Sequence, residues 1–279
     1  MDRSSVLVEA LVGLSACFVY LTETQYSERL AEIDSLLKEA HKIYKTKQRV
    51  IIRLERIFTC PGMVSEPVVN AGFEDKMGEV LKSFGCKCGC SWVESESILR
   101  LPSGGWEELI DMWSCHDREF KHFADKKLVP RTRGLLYGPL HLVLGRERVP
   151  KCLVAESGGD GVVCYSALSL GIGDEFLLFH YLYERFQRES SIVVVGEQKM
   201  TLSLLDTTYV VRGELSSVFA SPKPILALKV AYTLMETGRK EDLEVSAYFA
   251  TKLLDILQQN TVAESSEIGT IAFILANDS

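Results

Sequence analysis

Residues 86–120 read CKCGCSWVESESILRLPSGGWEELIDMWSCHDREF and form the chemically densest segment of the chain. The segment opens with three closely spaced cysteines, Cys86, Cys88 and Cys90. A strand-like run over residues 98–101 follows, and a Pro-Ser-Gly-Gly turn then leads into a helix-like run from Trp106 to Trp113. Short strands, tight turns and one helical run indicate a mixed architecture whose chemistry is concentrated in thiols.

The rest of the chain continues this mixture of short strands and a few helices. Apolar and β-branched patterns predict strands in residues 4–22 (two strands), 49–58, 135–145, 162–170, 191–195, 200–211, 225–232 and 271–275. Helical spacing is found in residues 25–45, 73–83, 174–187 and 247–258. Ser27 is the candidate cap of the first of these helices. The pattern predicts an α+β, strand-rich protein with two lobes and a few segregated helices, rather than a doubly wound fold.

Length and charge limit the organisation and the partners. A chain of 279 residues favours two domains at about 150 residues each. We expect an N-terminal lobe over 1–120, a connecting segment over 121–150, where charge and Gly/Pro density rise, and a C-terminal lobe over 151–279. The 31 Lys and Arg against 38 Asp and Glu give a net charge of −7. This balance argues against direct binding of nucleic acid.

The apolar N-terminal stretch and the eight cysteines bear on the compartment. Residues 6–21 carry Glu9 and form too short a run for a membrane helix, so they are interpreted as core strands. No export signal is recognisable, which predicts a reducing compartment, the cytoplasm and nucleus. Clustered thiols in such a compartment indicate metal binding or a reactive cysteine rather than disulfide bonds.

Common catalytic motifs are absent from the sequence. Gly171-Ile172-Gly173 lacks the third glycine of a nucleotide loop and is explained by a turn before a helix. Neither a G-x-S-x-G elbow nor an H-E-x-x-H helix occurs. His180 lies among aromatic residues of a helix and is interpreted as a packed side chain. Conventional hydrolase or transferase chemistry therefore has no visible site.

The cysteine knuckle at residues 86–90 is a candidate for structural zinc. Such a site needs four ligands around the ion, usually supplied as two separate pairs. Candidates for the remaining position are Cys115 with His116, Cys152 with Cys164, or Cys60. The alternative is that these cysteines are small residues buried in a loop.

Cys115 and His116 form the second candidate site. A thiol beside an imidazole has a lowered pKa when the imidazole is protonated or a metal is near. The thiolate would then serve as a nucleophile or as a metal ligand. The structural alternative is a helix end packed by Trp106 and Trp113.

These motifs resemble the HECT-like family that binds ubiquitin-conjugating enzymes. Its animal members are named as ubiquitin-protein ligases, and a yeast relative is named for importance in cleavage and polyadenylation. The likeness lies in the knuckle Cys86-Lys87-Cys88-Gly89, in the run from Pro102 through Trp106, and in Trp113-Ser114-Cys115-His116 followed by Phe120. Lys151-Cys152 comes next, and weaker likeness extends to residues 271–275.

The chain departs from the family at its cysteines. The family shows C-x-x-C-G and a later C-x-R-C, whereas here the knuckle is compressed and Val149 stands three residues before Cys152. The resemblance implies a structural zinc held by Cys86, Cys88, Cys90 and Cys152.

The resemblance implies two kinds of function. In the first, the protein is an assembly or inhibitory factor of the pre-mRNA 3′-end cleavage endonuclease, which has a metallo-β-lactamase fold. Residues 102–120 would dock at the nuclease active site, with Cys115 offered to its zinc. The partner-binding residues would be Pro102, Trp106, Trp113, Cys115, His116 and Phe120.

In the second, the protein is a ligase that binds a ubiquitin-conjugating enzyme and carries ubiquitin as a thioester on Cys115. The net acidic charge favours the first function, because it suits masking a basic nuclease. A third alternative is a zinc-stabilised scaffold without an active cysteine.

Overall fold

A computed structural model of the chain describes most of its length in separate ranges. The described residues are 6–11, 14, 16–46, 49–55, 70–101, 129–130, 132–154, 161–196, 198–220, 223–235 and 245–276. No helix within these ranges is long and apolar enough to cross a membrane.

Strands make up most of the regular structure. They are β1 (Val6–Leu11), β2 (Ala16–Leu21), β3 (Ala40–Lys45), β4 (Val50–Leu54), β5 (Ser83–Cys86), β6 (Trp92–Glu94), β7 (Ser97–Arg100), β8 (Gly134–Tyr137), β9 (His141–Leu144), β10 (Val162–Cys164), β11 (Leu168–Ser169), β12 (Ser191–Val195), β13 (Lys199–Gly213), β14 (Ile225–Met235), β15 (Thr261–Ser265) and β16 (Gly269–Leu275). The helices in the described ranges are α1 (Glu23–Glu28), α2 (Leu30–Glu39), α3 (Asn70–Val80), α4 (Asp174–Phe186), α5 (Leu215–Ala220) and α6 (Ala247–Gln259). This composition confirms the predicted α+β, strand-rich class.

The chain divides into two compact units, and the first is discontinuous in sequence. Residues 1–68 and 173–279 form the first unit, and residues 69–172 form the second. The two parts of the first unit are joined because β1 pairs with β13 in one sheet. The boundaries expected from the sequence, with a connecting segment at 121–150, therefore do not coincide with these units.

One antiparallel sheet of nine strands builds the first unit. Its order is β15-β16-β14-β13-β1-β2-β4-β3, with β12 paired to β13 beside this path. The sheet curls strongly: the rings of Tyr20 on β2 and Phe273 on β16 lie 5.8 Å apart between centroids, although three strands separate them in the sheet order. Twist accumulated over many strands accounts for this approach of distant strands.

The two faces of β1 bury different groups. Val6, Val8 and Ala10 point into an apolar cluster with residues of β2, β4 and α5. On the other face Glu9 is fully buried and accepts hydrogen bonds from Tyr20 Oη at 2.6 Å and Lys229 Nζ at 2.9 Å. Burial and the neighbouring carboxylate raise the pKa of Tyr20, so its phenol keeps the proton that it donates.

The helix predicted over residues 25–45 is wrong in part. It begins earlier, because Thr22 caps α1 in a reciprocal capping box with Gln25, while Ser27 lies inside α1 and donates to the Glu23 carbonyl. It also ends earlier, because residues 40–45 form β3 on the edge of the sheet, paired with β4. Hydrogen bonding to β4, the next strand in the chain, overrides the helical spacing there.

The second unit contains two small sheets and α3. One sheet has the order β10-β9-β8-β7, in which β7 and β8 are parallel, and the other has the order β11-β5-β6. The buried side chains of Phe73 and Met77 project from α3, Leu81 directly follows it, and Phe84 and Leu135 are buried on the strands. The unit thus has an apolar core of its own, built from short elements.

Candidate metal centre

The hairpin formed by β5 and β6 positions three of the four cysteines. Cys86 is the last residue of β5, and the chain then turns through Cys88 and Cys90 before β6. The turn is closed by the Gly89 N–H, which donates to the Cys86 carbonyl at 2.9 Å. Gly89 has φ of +72°, a conformation that side chains disfavour, so glycine at this position allows the tight return of the chain.

Cys152 reaches the same place from a distant part of the second unit. It lies in the 3₁₀ turn Lys151–Leu153, where the Leu153 N–H donates to the Pro150 carbonyl at 2.8 Å. Val149 and Leu153 are buried on either side of it. Packing of these two apolar neighbours directs the Cys152 thiol outward.

Arg148 ties this turn to the end of the hairpin and to β8. Its guanidinium donates to the Gly134 carbonyl at 2.7 Å, to the Ser95 hydroxyl at 3.2 Å and to the Glu94 carbonyl. It therefore holds the chain before Cys152 against the end of β6 and the start of β8. No local sequence pattern marks Arg148 as a structural residue, because its acceptors Glu94 and Gly134 lie far from it along the chain.

The four thiols form one tight cluster. All the Sγ atoms of Cys86, Cys88, Cys90 and Cys152 lie within 4.8 Å of one another. Cys88 Sγ lies 3.1 Å from Cys86 Sγ, 3.1 Å from Cys90 Sγ and 3.4 Å from Cys152 Sγ. The Cys90 and Cys152 sulfurs are 3.2 Å apart. All four cysteines are free thiols.

This geometry fits a tetrahedral metal ion. Four sulfurs at the Zn–S distance of about 2.3 Å would stand about 3.8 Å apart, so small outward shifts of the thiols suffice. Cys86 is buried, while the other three cysteines are exposed and open to an incoming ion. The residues present would therefore hold one metal ion through four sulfur ligands.

The neighbouring thiols shift the pKa values of one another, some downward and some upward. Hydrogen bonds from the neighbouring sulfurs, above all Cys88, lower the pKa of Cys86 to about 6. The pKa of Cys90 is also lowered, mainly by Cys88, whereas the pKa of Cys152 is raised, mainly by Cys90. Close thiols cannot all ionise without a cation between them, because each thiolate repels the next. A bound divalent ion would remove that conflict.

The other ligand candidates do not all fall in this cluster. Cys164, suggested as a pair with Cys152, instead points its Sγ at the Leu140 carbonyl, 3.6 Å away. Cys60, Cys115 and His116 lie outside the described residues. The partner-binding candidates Pro102, Trp106, Trp113 and Phe120 also lie outside them.

Two aromatic neighbourhoods of the described residues remain, one predicted from the sequence and one not. His180 is buried on α4 against the rings of Phe176 and Phe179, which confirms its interpretation as a packed side chain. Trp92, two residues after Cys90, was not singled out, yet it is 68% exposed. Its ring covers Gly85, where an added Cβ would lie 2.8 Å from Trp92 Cε3. A large aromatic surface therefore stands beside the cysteine cluster.

The described fold and cluster define an α+β protein with a four-cysteine centre suited to a structural metal. Residues 75–169 match the model of a family described as HECT-like ubiquitin-conjugating enzyme (E2)-binding. This match confirms the family resemblance over about a third of the chain and includes all four clustered cysteines. Searches of curated proteins and of solved structures returned no match.

Proposed function

We propose that this protein acts by binding another protein, through a zinc-stabilised unit that engages a ubiquitin-conjugating enzyme. The observation that carries the proposal is the coincidence of the four-sulfur cluster with the segment that matches the E2-binding family. A metal inside that segment would hold the hairpin at residues 83–94 and the turn at 151–153 in a constant arrangement.

Zinc is the metal that the donor set favours. Thiolates are soft ligands, and four of them in a tetrahedral arrangement are typical of structural zinc sites. A site closed by four protein ligands has no open position for water, so it supports a structural role for the metal.

The finer proposal concerns Cys115 and the pre-mRNA 3′-end cleavage endonuclease. Four cysteines already complete a tetrahedral set, so zinc does not require Cys115 as a ligand. On this proposal, residues 102–120 dock at the nuclease active site, and the free Cys115 thiol binds the partner's zinc. Trp106 and Trp113 would be the buried anchors of the interface.

Binding assays with the purified full chain separate these partners. We expect a ubiquitin-conjugating enzyme to be retained by the wild-type protein and lost after Cys88→Ser, which removes a metal ligand. The endonuclease should be retained by wild type and lost after Cys115→Ala or Trp106→Ala, with Trp92→Ala as the matched tryptophan control. Retention of the endonuclease by both of those variants would overturn the docking proposal.

A ligase would behave differently from a binding factor. It would accept ubiquitin from the charged conjugating enzyme and hold it as a thioester on Cys115. A single-turnover reaction resolved without reducing agent detects such an adduct, and Cys115→Ala must abolish it. Binding of the conjugating enzyme without any adduct supports the binding factor. An adduct that reducing agent cleaves establishes the ligase instead.

A further inference from the structure

A polar cleft in the first unit brings together ends of strands that are far apart in the sheet order. It has a volume of about 360 Å³ and is lined by Thr22, Arg49, Gln258, Thr270 and others. A second cleft of about 630 Å³ adjoins it and shares Glu264 and Thr270. The curl of the nine-stranded sheet creates both clefts, because Arg49 precedes β4 and Thr270 lies on β16.

Arg49 is the unusual group in this cleft. Among the described residues, its guanidinium has no ion pair and no side-chain hydrogen bond. Partial burial lowers the pKa of Arg49, and the nearby positive charge of Arg212 lowers it further. A partly buried cation beside a like charge is unfavourable unless an anion approaches it.

Arg212, the neighbouring cation, already has a hydrogen-bond partner of its own. Its Nη2 donates to Asn260 Oδ1 at 2.9 Å, and Asn260 Nδ2 donates in turn to Glu175 Oε1 at 3.0 Å. Glu175 Oε1 also accepts the Leu275 N–H at 3.0 Å. Glu175 is thus engaged beside Arg212, and Glu264 is the carboxylate that lines the cleft together with Arg49.

The remaining donors surround the cleft from several directions. The Thr22 hydroxyl accepts the Gln25 N–H and keeps its own proton to donate. Thr270 and Gln258 bring a hydroxyl and an amide from β16 and α6. Tyr232 and Thr261 bond to each other at 3.2 Å and form the wall. Donors converging from separate elements suit a tetrahedral oxyanion better than a planar carboxylate.

We propose that this cleft binds a phosphate group, with Arg49 as its principal contact. Guanidinium is the side chain best suited to phosphate oxygens, and the hydroxyl and amide donors would complete the contacts. The site belongs to the first unit and the cysteine cluster to the second, and the proposal does not depend on the proposed function.

Inorganic phosphate is the probe for this site. Phosphate added to the full chain at constant ionic strength should raise the midpoint of thermal unfolding of the protein in a saturable manner. Binding should also broaden the phosphorus NMR signal of the phosphate. Arg49→Gln should weaken binding at least tenfold. Arg188→Gln, which removes an exposed positive charge of the same unit away from the cleft, should leave binding unchanged.

A second variant keeps the test decisive if Arg49→Gln folds poorly. Glu264 stands at the exposed rim of the cleft, so Glu264→Gln should strengthen phosphate binding severalfold by removing a repelling carboxylate. The proposal is overturned if phosphate does not bind saturably, if Arg188→Gln weakens binding as much as Arg49→Gln, or if Glu264→Gln has no effect. Equal stabilisation by acetate at the same ionic strength would overturn the assignment to phosphate.

Discussion

The two units reach a stable fold by different routes. In the first unit β13 and β14 extend over 15 and 11 residues, whereas no described strand of the second unit exceeds four. Long antiparallel strands accumulate hydrogen bonds and cross-strand contacts along their length. Short strands accumulate few of either, so a small unit gains more from an added crosslink.

The two units also differ in where they place their polar groups. The first unit holds an ion pair between the fully buried Glu9 and the partly buried Lys229, whose Nζ lies over the aromatic rings of Phe18 and Phe273. The second unit instead clusters four thiols at its surface, of which three are exposed. Stability should therefore respond to core electrostatics in the first unit and to metal in the second.

Metal removal should produce the largest effect, confined to the second unit. Structural zinc contributes about 10–16 kcal/mol in small zinc domains, more than many domains have in total. We expect Cys88→Ser, or a strong chelator, to remove one zinc per chain and to unfold residues 69–172. Elemental analysis measures the zinc content. Hydrogen exchange in β5 and β6, compared with exchange in β13 and β14, measures whether unfolding is confined to the second unit.

The matched control for this experiment is Cys164→Ser. Cys164 lies in the same unit but outside the cluster, and a serine hydroxyl can keep the bond to the Leu140 carbonyl. Zinc content should stay at the wild-type level in this variant. Loss of protection in β13 and β14 to the same extent as in β5 and β6 would contradict the separation of the two units.

Breaking the buried ion pair should destabilise the first unit next most strongly. Lys229→Met leaves the Glu9 carboxylate fully buried with only the Tyr20 hydroxyl as partner, at a cost of about 3–5 kcal/mol. Denaturant unfolding of the zinc-loaded protein measures the loss. Combining Lys229→Met with Glu9→Gln should recover most of it, because no unpaired charge remains.

The control for the ion pair is an exposed lysine of the same unit. Lys223→Met should change the free energy of unfolding by no more than about 0.5 kcal/mol. If the double variant is less stable than Lys229→Met alone, an unpaired charge is not the cause of the destabilisation.

Gly161→Ala should destabilise the second unit by a smaller amount. Gly161 has φ of +81°, and an added Cβ would stand 2.2 Å from the Leu144 carbonyl oxygen. We expect a loss of about 2–3 kcal/mol from strain and displacement together. Gly171→Ala is the comparison, since Gly171 has φ of +68° but open space around it, and should cost about 1–2 kcal/mol. Equal losses in the two variants, measured by thermal unfolding, would rule out the close approach as a cause.

Removal of the α1 cap should have the smallest effect. Thr22→Ala deletes the hydroxyl that accepts the Gln25 N–H and should cost about 1 kcal/mol in the first unit. Ser27→Ala, at the cap position expected from the sequence, should be close to neutral because Ser27 is exposed within the helix. A larger loss for Ser27→Ala in denaturant unfolding would reverse this assignment.

Elements with a strong local pattern were predicted closely. The aromatic-rich helix expected over 174–187 is α4, Asp174–Phe186, and the strand expected over 191–195 is β12. The weak pattern TVAES in residues 261–265 gave no strand prediction, yet these residues form β15 because β16 offers a free edge. Pairing with the next strand across a short turn, with Ser265 opposite Gly269, supplies hydrogen bonds that the side-chain pattern of residues 261–265 does not reveal.

The sequence by itself determined the α+β class, the thiol chemistry and the family resemblance, because composition, period and motif spacing are local properties. Only the tertiary structure joined residues 1–68 to 173–279, since the pairing of β1 with β13 spans about 200 residues. It also brought Cys152, which the family resemblance had named, close to the knuckle of residues 86–90 and left Cys164 outside the cluster. Which thiols meet depends on how strands and turns pack, and spacing along the chain does not contain that information.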